Sequence, residues 1–244
     1  MPSDISGYHP DMRLQARIPA VTLALLTCIV AVSLPATVAH AHVPALERGA
    51  PGVPMAIDGP EVSRAVYGYL APDETYDAYL FSVERPVTQA IGVIVPSRDE
   101  HAGFRPELRL LASETEVAHI EDPGLPERTA EWEPFSLTTF WEGGEQVIAF
   151  DPGVEYELRV EPGDGDASSG RYVIVFGGPE AFTADESVRT LLYLPVIWFG
   201  AYGGAPPHWN WWALIPLGIL VAGIALITQA LVWRSHRRAA DRNG

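Results

Sequence analysis

Two long apolar runs bracket the chain, and between them the pattern changes to short alternating segments. The first run, Ile18 to Val32, follows Arg13 and Arg17 and is closed by Pro35 and small residues. A positive region, an apolar core and a small-residue exit are the order of a secretory signal. Ala39 and Ala41 supply the small side chains for a cut before His42, and Thr37 and Ala39 do so for a cut before His40. The second run, Ala213 to Val232, is long enough to cross a bilayer as a helix. Trp209, Trp211 and Trp212 stand at one end and Trp233 at the other, and Arg234, Arg237 and Arg238 follow. Tryptophan suits both interfaces, and arginines just beyond a span mark its cytoplasmic side. The two runs together predict a type I, single-pass protein of the cytoplasmic membrane with its N-terminal domain outside.

The interval reads as strands. Segments 63–70, 76–83, 87–95, 106–112, 115–120, 135–141, 145–150, 156–161 and 171–178 are rich in β-branched and aromatic residues and separated by turn residues. Ala65, Tyr67 and Tyr69 alternate on one face of the first, and 87–95 is apolar enough for a buried central strand. Eight or nine short strands without an amphipathic helix between them predict a mainly β chain, an antiparallel β-sandwich or jelly roll. Residues 1–41 are then the signal peptide, 42–62 a Pro/Gly/Ala-rich arm, 63–180 the sandwich and 181–208 an interfacial apolar segment. Residues 209–233 form the transmembrane helix and 234–244 a basic cytoplasmic tail. Within 181–208, Thr183 and Glu186 have the T-x-x-E spacing of a capping box, so a helix starts there. Residues 188–204 are too apolar for an ordinary surface and too short to span, which puts Trp198, Phe199 and Tyr202 at headgroup level.

Charge narrows the function classes. Residues 40–212 carry about 28 acidic groups against about 10 arginines, and the chain contains no lysine. A field of that sign repels phosphate backbones, so nucleic acid is not an expected partner. The expected partners are the lipid bilayer, through the C-terminal helix, and a membrane protein. The single cysteine, Cys28, lies in "LALLTC", which has the outline of a lipoprotein box. Thr27 before it and the apolar "IVAVSLPATVA" after it fit that box poorly, so Cys28 belongs to the signal core and the mature chain forms no disulfide.

The stretch "FDPGVEYELRVEPGDGDASSGRYVIVFGGPEAF" pairs a Y-x-L-x-V strand with a loop and a G-R-Y-x-[IV]-x-F-G strand, and "YDAYLFSVERP" stands nearer the start. This rhythm, over residues 63–180, resembles the pre-peptidase C-terminal type of exported β-sandwich. It resembles more closely the uncharacterised exported prokaryotic proteins that carry such a domain before a C-terminal membrane anchor. The resemblance implies a fold and a location. It brings no catalytic residues to match.

No G-x-S-x-G, H-E-x-x-H, Walker or Rossmann pattern is present, so an enzyme is the minority reading. The expected role is binding or accessory. The sharpest chemical alternative is copper. A chain starting His40-Ala41-His42 offers an amine, two amides and an imidazole in a square-planar set suited to Cu(II), and a chain starting at His42 offers amine and imidazole together. The second arrangement is similar to the histidine brace of lytic polysaccharide monooxygenases and some periplasmic copper carriers. A brace needs a further histidine from the domain, and His101 and His119 are the candidates by residue type. Ca2+ is the second cofactor candidate, on Glu161, Asp164 and Asp166 in a loop that lacks the full calcium-binding pattern. A weaker alternative is a carbohydrate-binding module using the carboxylates and aromatics from Glu131 to Phe135 and from Phe140 to Glu145.

Overall fold

A computed structural model describes residues 42–47 and 53–240; residues 1–41, with Cys28 and His40, residues 48–52 and the last four residues lie outside the described residues. The chain is mainly β. Its strands are β1 Val43–Leu46, β2 Met55–Ala56, β3 Arg64–Leu70, β4 Asp77–Phe81, β5 Val87–Pro96, β6 Pro106–Ala112, β7 Thr115–Ile120, β8 Ala130–Glu133, β9 Thr138–Phe150, β10 Tyr156–Pro162 and β11 Gly170–Phe176. Two helices follow, α1 Ala184–Trp198 and α2 Leu214–Ala240. One sheet has the order β1-β3-β11-β5-β9-β8 and the other β2-β4-β10-β6-β7.

Alternation along the strands fills the space between the sheets. Tyr172, Ile174 and Phe176 of β11 meet Val66 and Leu70 of β3, Tyr79 and Phe81 of β4 and Leu158 and Val160 of β10, all in one buried cluster. Phe81 packs edge-on to Phe176 at 5.5 Å and to Phe150 at 5.6 Å between ring centroids. Each such side chain removed from water contributes about 1.5–3 kcal/mol, which lets the sandwich cohere without a disulfide.

The six-stranded sheet is covered on its other face too. Ala65, Tyr67 and Val173 point away from the inter-sheet core and form a second cluster with Leu46, Phe140, Ile197 and Tyr202. This is why β3 and β11 are buried nearly throughout instead of at alternate positions. Helix α1 starts where its capping box predicts: Thr183 Oγ1 accepts from Glu186 N at 3.2 Å, and Glu186 Oε2 accepts from Thr183 N at 2.8 Å. Arg64 of β3 pairs with Glu186 at 3.0 Å, tying the first turn of the helix to the sheet. The expectation that Trp198 and Tyr202 stand at headgroup level meets a different packing. Trp198 Nε1 donates to Phe135 O at 2.9 Å, and Tyr202 is buried edge-on against Tyr67 at 5.3 Å.

Two further differences have clear causes. The arm 42–62 lacks a strand period, yet it supplies both β1 and β2, each added in parallel at the edge of a sheet, beside β3 and β4. These are short edge strands held by single rows of backbone bonds, so they need no alternation of their own. The sequence predicts two strands at 135–141 and 145–150. They are one strand, β9, and the expectation missed β8 before it. Gly143 and Gly144 are not a turn: a Cβ at Gly143 would stand 2.5 Å from Val93 O, and one at Gly144 would stand 2.2 Å from Glu121 O. They let neighbouring backbones approach closely.

The 3-10 turn Trp211–Ala213 and helix α2 together give the one helical segment, among the described residues, long and apolar enough to cross a membrane, Trp211–Trp233, with mean hydropathy 2.2. The unit that contains the sandwich extends to Leu217, and the helix beyond forms a separate unit.

Candidate functional site

Of the four candidate histidines, the three among the described residues fall in separate places. His40 lies outside the described residues. His42 directly precedes β1, and its Nδ1 is hydrogen-bonded to Ser63 Oγ at the start of β3. His101 ends a short 3-10 turn, Asp99–His101, and contacts Arg171, whose register partner is Tyr69 at the far end of β3. At ~3.3 Å per strand residue, Ser63 and Tyr69 are about 20 Å apart. His119 lies on β7, the edge strand of the opposite sheet, with Nε2 2.9 Å from Glu107 and Nδ1 3.8 Å from Glu121. The structure therefore brings neither His101 nor His119 to His42. Among the described residues no group of three or more His, Cys, Asp or Glu side chains is placed to hold a metal ion. The copper reading then rests on an N-terminal chelate alone. In the calcium candidate, Glu161 is taken up by Arg109, whose Nε donates to it at 3.0 Å. The loop that follows is pinned down by Gly163 N to Arg105 O, 2.7 Å, and Ala167 N to Gly103 O, 3.0 Å. In the carbohydrate candidate, Trp141 lies under the Arg128 guanidinium at 5.6 Å, while exposed Trp132 meets Trp212 edge-on at 6.1 Å.

What His101 does join is a cluster that sequence reasoning missed. Arg171 leads into β11 on the face turned towards α1, and it is buried there. Its Nε donates to Gly200 O at 3.0 Å, its Nη2 donates to Pro206 O, and its Nη1 donates to His101 Nε2 at 3.2 Å. One guanidinium thereby holds the loop that follows α1 onto the sheet. Gly200, at φ +60°, lets that loop turn, and the His208 imidazole packs so close that a Cβ on Gly200 would meet it at 2.3 Å. His208 N donates to Phe199 O at 2.7 Å, closing the loop on itself.

His101, Arg171, Pro206 and His208 line an open cleft of about 330 Å3, together with Tyr69, Glu100 and Pro207. Arginine can only donate, so His101 Nε2 is the acceptor and Nδ1 carries the proton. That Nδ1, the Nε of nearby Arg98, and both ring nitrogens of His208 are buried without a hydrogen-bond partner among the described residues. Burial, then the charge of Arg171, lowers the His101 pKa to about 4, against a smaller upward pull from Glu100. Burial, then Arg98, Arg171 and His101, lowers His208 to about 4 as well. Both imidazoles are neutral at pH 7. Glu100 is the nearest carboxylate, 4.0 Å from both Arg171 Nη1 and His101 Nε2, beyond hydrogen-bonding distance, and its side chain is 54% exposed.

A second titratable cluster lies beside Tyr69. Tyr69 N donates to Glu47 Oε2 at 3.1 Å. Tyr172 OH donates to Asp77 Oδ2 at 2.6 Å and bonds Tyr79 OH at 2.7 Å. Burial, with the charge of Asp77 and then Glu74 beside it, raises Glu47 to about 8. Burial raises Asp77 to about 6 against the opposing hydrogen bond from Tyr172.

No family model matches the chain, and no curated protein matches it. Among solved structures it is similar to the pre-peptidase C-terminal domain of a Bacillus anthracis collagenase, at 17% identity and TM-score 0.34, over 53% of this chain and 99% of that one. It is similar to a β-glucosidase from Paenibacillus barengoltzii at 12% identity and TM-score 0.28, over 57% of this chain and 12% of that one. It is also similar to CorA, a surface-associated copper-binding protein of Methylomicrobium album BG8, at 9% identity and TM-score 0.27, over 56% of this chain and all of that one. At these identities and scores none of the three lends this chain a ligand or an activity.

Proposed function

We propose that this chain is an exported, single-pass protein that holds its β-sandwich outside the cytoplasmic membrane and serves there as a binding or accessory domain. One observation carries the reading: the segment leading to the span is part of the domain's fold and not a free linker. Ile197, Tyr202, Asn210 and Ala213 are all buried. Asn210 Nδ2 donates to Leu137 O at 3.2 Å, and its Oδ1 accepts from Trp212 N at 3.1 Å. The apolar helix follows in sequence at Leu214. Exposed Trp132, Trp209, Trp211 and Trp212 suit the interface of such a membrane.

Topology is tested with single cysteines in full-length chain expressed in intact cells. Glu155→Cys, on an exposed hairpin of the sandwich, is expected to react with a membrane-impermeant thiol reagent. Asn243→Cys, in the tail, is expected to react only after lysis. Labelling of the tail in intact cells, or of neither site without lysis, would sink the proposed orientation.

A further inference from the structure

We infer that the outward face of α1 lies on the bilayer surface, as a second membrane contact of the domain beside the span. Val188, Leu191, Leu192, Pro195 and Phe199 recur at the spacing of one helical stripe. Val188, Leu191 and Leu192 are 57%, 66% and 69% exposed, and Pro195 is exposed with them. The opposite stripe is already occupied: Glu186 pairs with Arg64, and Tyr193 and Ile197 pack into the cluster on the six-stranded sheet. A surface helix of a soluble domain turns polar residues outward. This one is apolar on both faces, and the sheet accounts for only one. The outward residues are not those the sequence puts at headgroup level, since Trp198 is bonded to Phe135 O and Tyr202 is buried.

What the stripe adjoins indicates what covers it. Phe199, its last residue, meets Trp209 at 6.3 Å between ring centroids, and Trp209 meets Trp211 edge-on at 5.3 Å. Trp209 and Trp211 are exposed, and the segment long enough to span begins at Trp211. All these residues belong to the unit that ends at Leu217. Val188 to Phe199 is about 16 Å of helix, so the stripe and the rings make one apolar band from the body of α1 to the start of the span. Tryptophans at the start of a span sit at headgroup level, and an apolar helix face in contact with them enters the same layer. Charge favours lipid over a protein partner. Asp185 and Arg189, the charged residues beside the stripe, pair with each other. The stripe is therefore neutral within a strongly acidic domain, and an uncharged lipid surface is enough to cover it. The inference rests on the reading that Trp211–Trp233 spans a bilayer.

The test uses full-length chain carrying Cys28→Ser, in nanodiscs of uncharged phosphatidylcholine, with one spin label at a time. The labels are attached through Val188→Cys and Leu192→Cys on the stripe, Ile224→Cys in the span and Glu155→Cys on the sandwich. All four positions are exposed, so labelling leaves the fold intact. Electron paramagnetic resonance then compares collisions with oxygen, which concentrates in lipid, and with a water-soluble nickel chelate. The expected result is loss of the nickel response at 188 and 192 with the oxygen response kept, as at 224, while the label at 155 responds to nickel. Nickel collisions at 188 and 192 equal to those at 155, with 224 still in lipid, overturn the inference and leave the span standing. A label at 224 that meets nickel as freely as that at 155 overturns the span and the inference together. Loss of both responses at 188 and 192 means that protein covers the stripe, which also overturns the inference. Spin–spin broadening in that case assigns the cover to a second copy of this chain.

Discussion

Two carboxyl groups, buried Asp77 and half-buried Glu47, make one cluster; two imidazoles, buried His101 and half-buried His208, make another beside two guanidiniums. Burial shifts all four titratable groups away from their charged forms, the acids upward and the histidines downward. The clusters differ in how their polar atoms are satisfied. Asp77 and Glu47 accept from Tyr172 and from a backbone N–H within the fold. The histidine cluster lines an open cleft. Similar burial thus has two outcomes: the carboxyl groups are taken up by donors within the fold, while His101 Nδ1 and both His208 ring nitrogens are not paired among the described residues. The contrast is tested by removing each cluster's central group.

The largest effect is expected from Arg171→Met. It strands the Gly200 and Pro206 carbonyls and His101 Nε2 at once, at a cost of about 3 kcal/mol or more, since hydrogen bonds to charged groups contribute ~1.5–3 kcal/mol each. Chemical denaturation should show that loss, and limited proteolysis should show new cleavage within 199–208. An uncleaved loop would mean that the second apolar cluster holds it without the guanidinium. Tyr172→Phe comes next. It removes the donor to Asp77 and the partner of Tyr79, at about 1–3 kcal/mol, and Asp77 should titrate higher still by carbon-detected NMR.

The difference between the clusters also separates what the sequence makes legible from what it hides. Strands β6 and β7 fall at the predicted bounds, and Thr183 and Glu186 mark the start of α1, because periodicity and capping are local. His101 was singled out by residue type alone and paired with the wrong end of the domain. Its true neighbours are 70 residues away at Arg171 and, farther on, in the 199–208 loop. The "GRY" that contains Arg171 reads as the opening of a strand, and no spacing signals that the outward face of this strand would be covered. Sheet coverage by a helix and loop from after the sandwich is a tertiary fact, and it is what turned an ordinary strand arginine into a buried clamp. The joining of 135–141 and 145–150 into β9 is tertiary in the same sense: Gly143 and Gly144 stand where neighbouring backbones approach too closely for a side chain.

pH separates the clusters in sign. An acid whose folded pKa is raised holds its proton longer in the native state, so its contribution falls as pH rises past its ordinary value. For Glu47, with an ordinary value of 4.5 raised to about 8, stability declines across that interval. A histidine whose folded pKa is lowered binds fewer protons when native, so stability rises with pH from about 4 to its ordinary 6.5. Below pH 6.5 the two trends oppose each other; between 6.5 and 8 the Glu47 term acts without them. Thermal unfolding of the wild type should therefore show a falling midpoint from pH 6.5 to 8, and Glu47→Gln should flatten it. An unchanged slope in that variant would locate the titration elsewhere.

The smallest expected effect on stability is the most discriminating. His208→Phe replaces an imidazole whose buried nitrogens have no partner among the described residues by a ring of similar shape. Replacing an unsatisfied polar group with an apolar one is near neutral or favourable, so the change at pH 7 should stay within about 1 kcal/mol. Part of the rise in stability between pH 4 and 6.5 should disappear, since one of the two depressed histidines is gone. A structural histidine would behave oppositely, costing stability at pH 7 when removed. A small cost at pH 7 would leave the holding of the loop to Arg171 and not to His208.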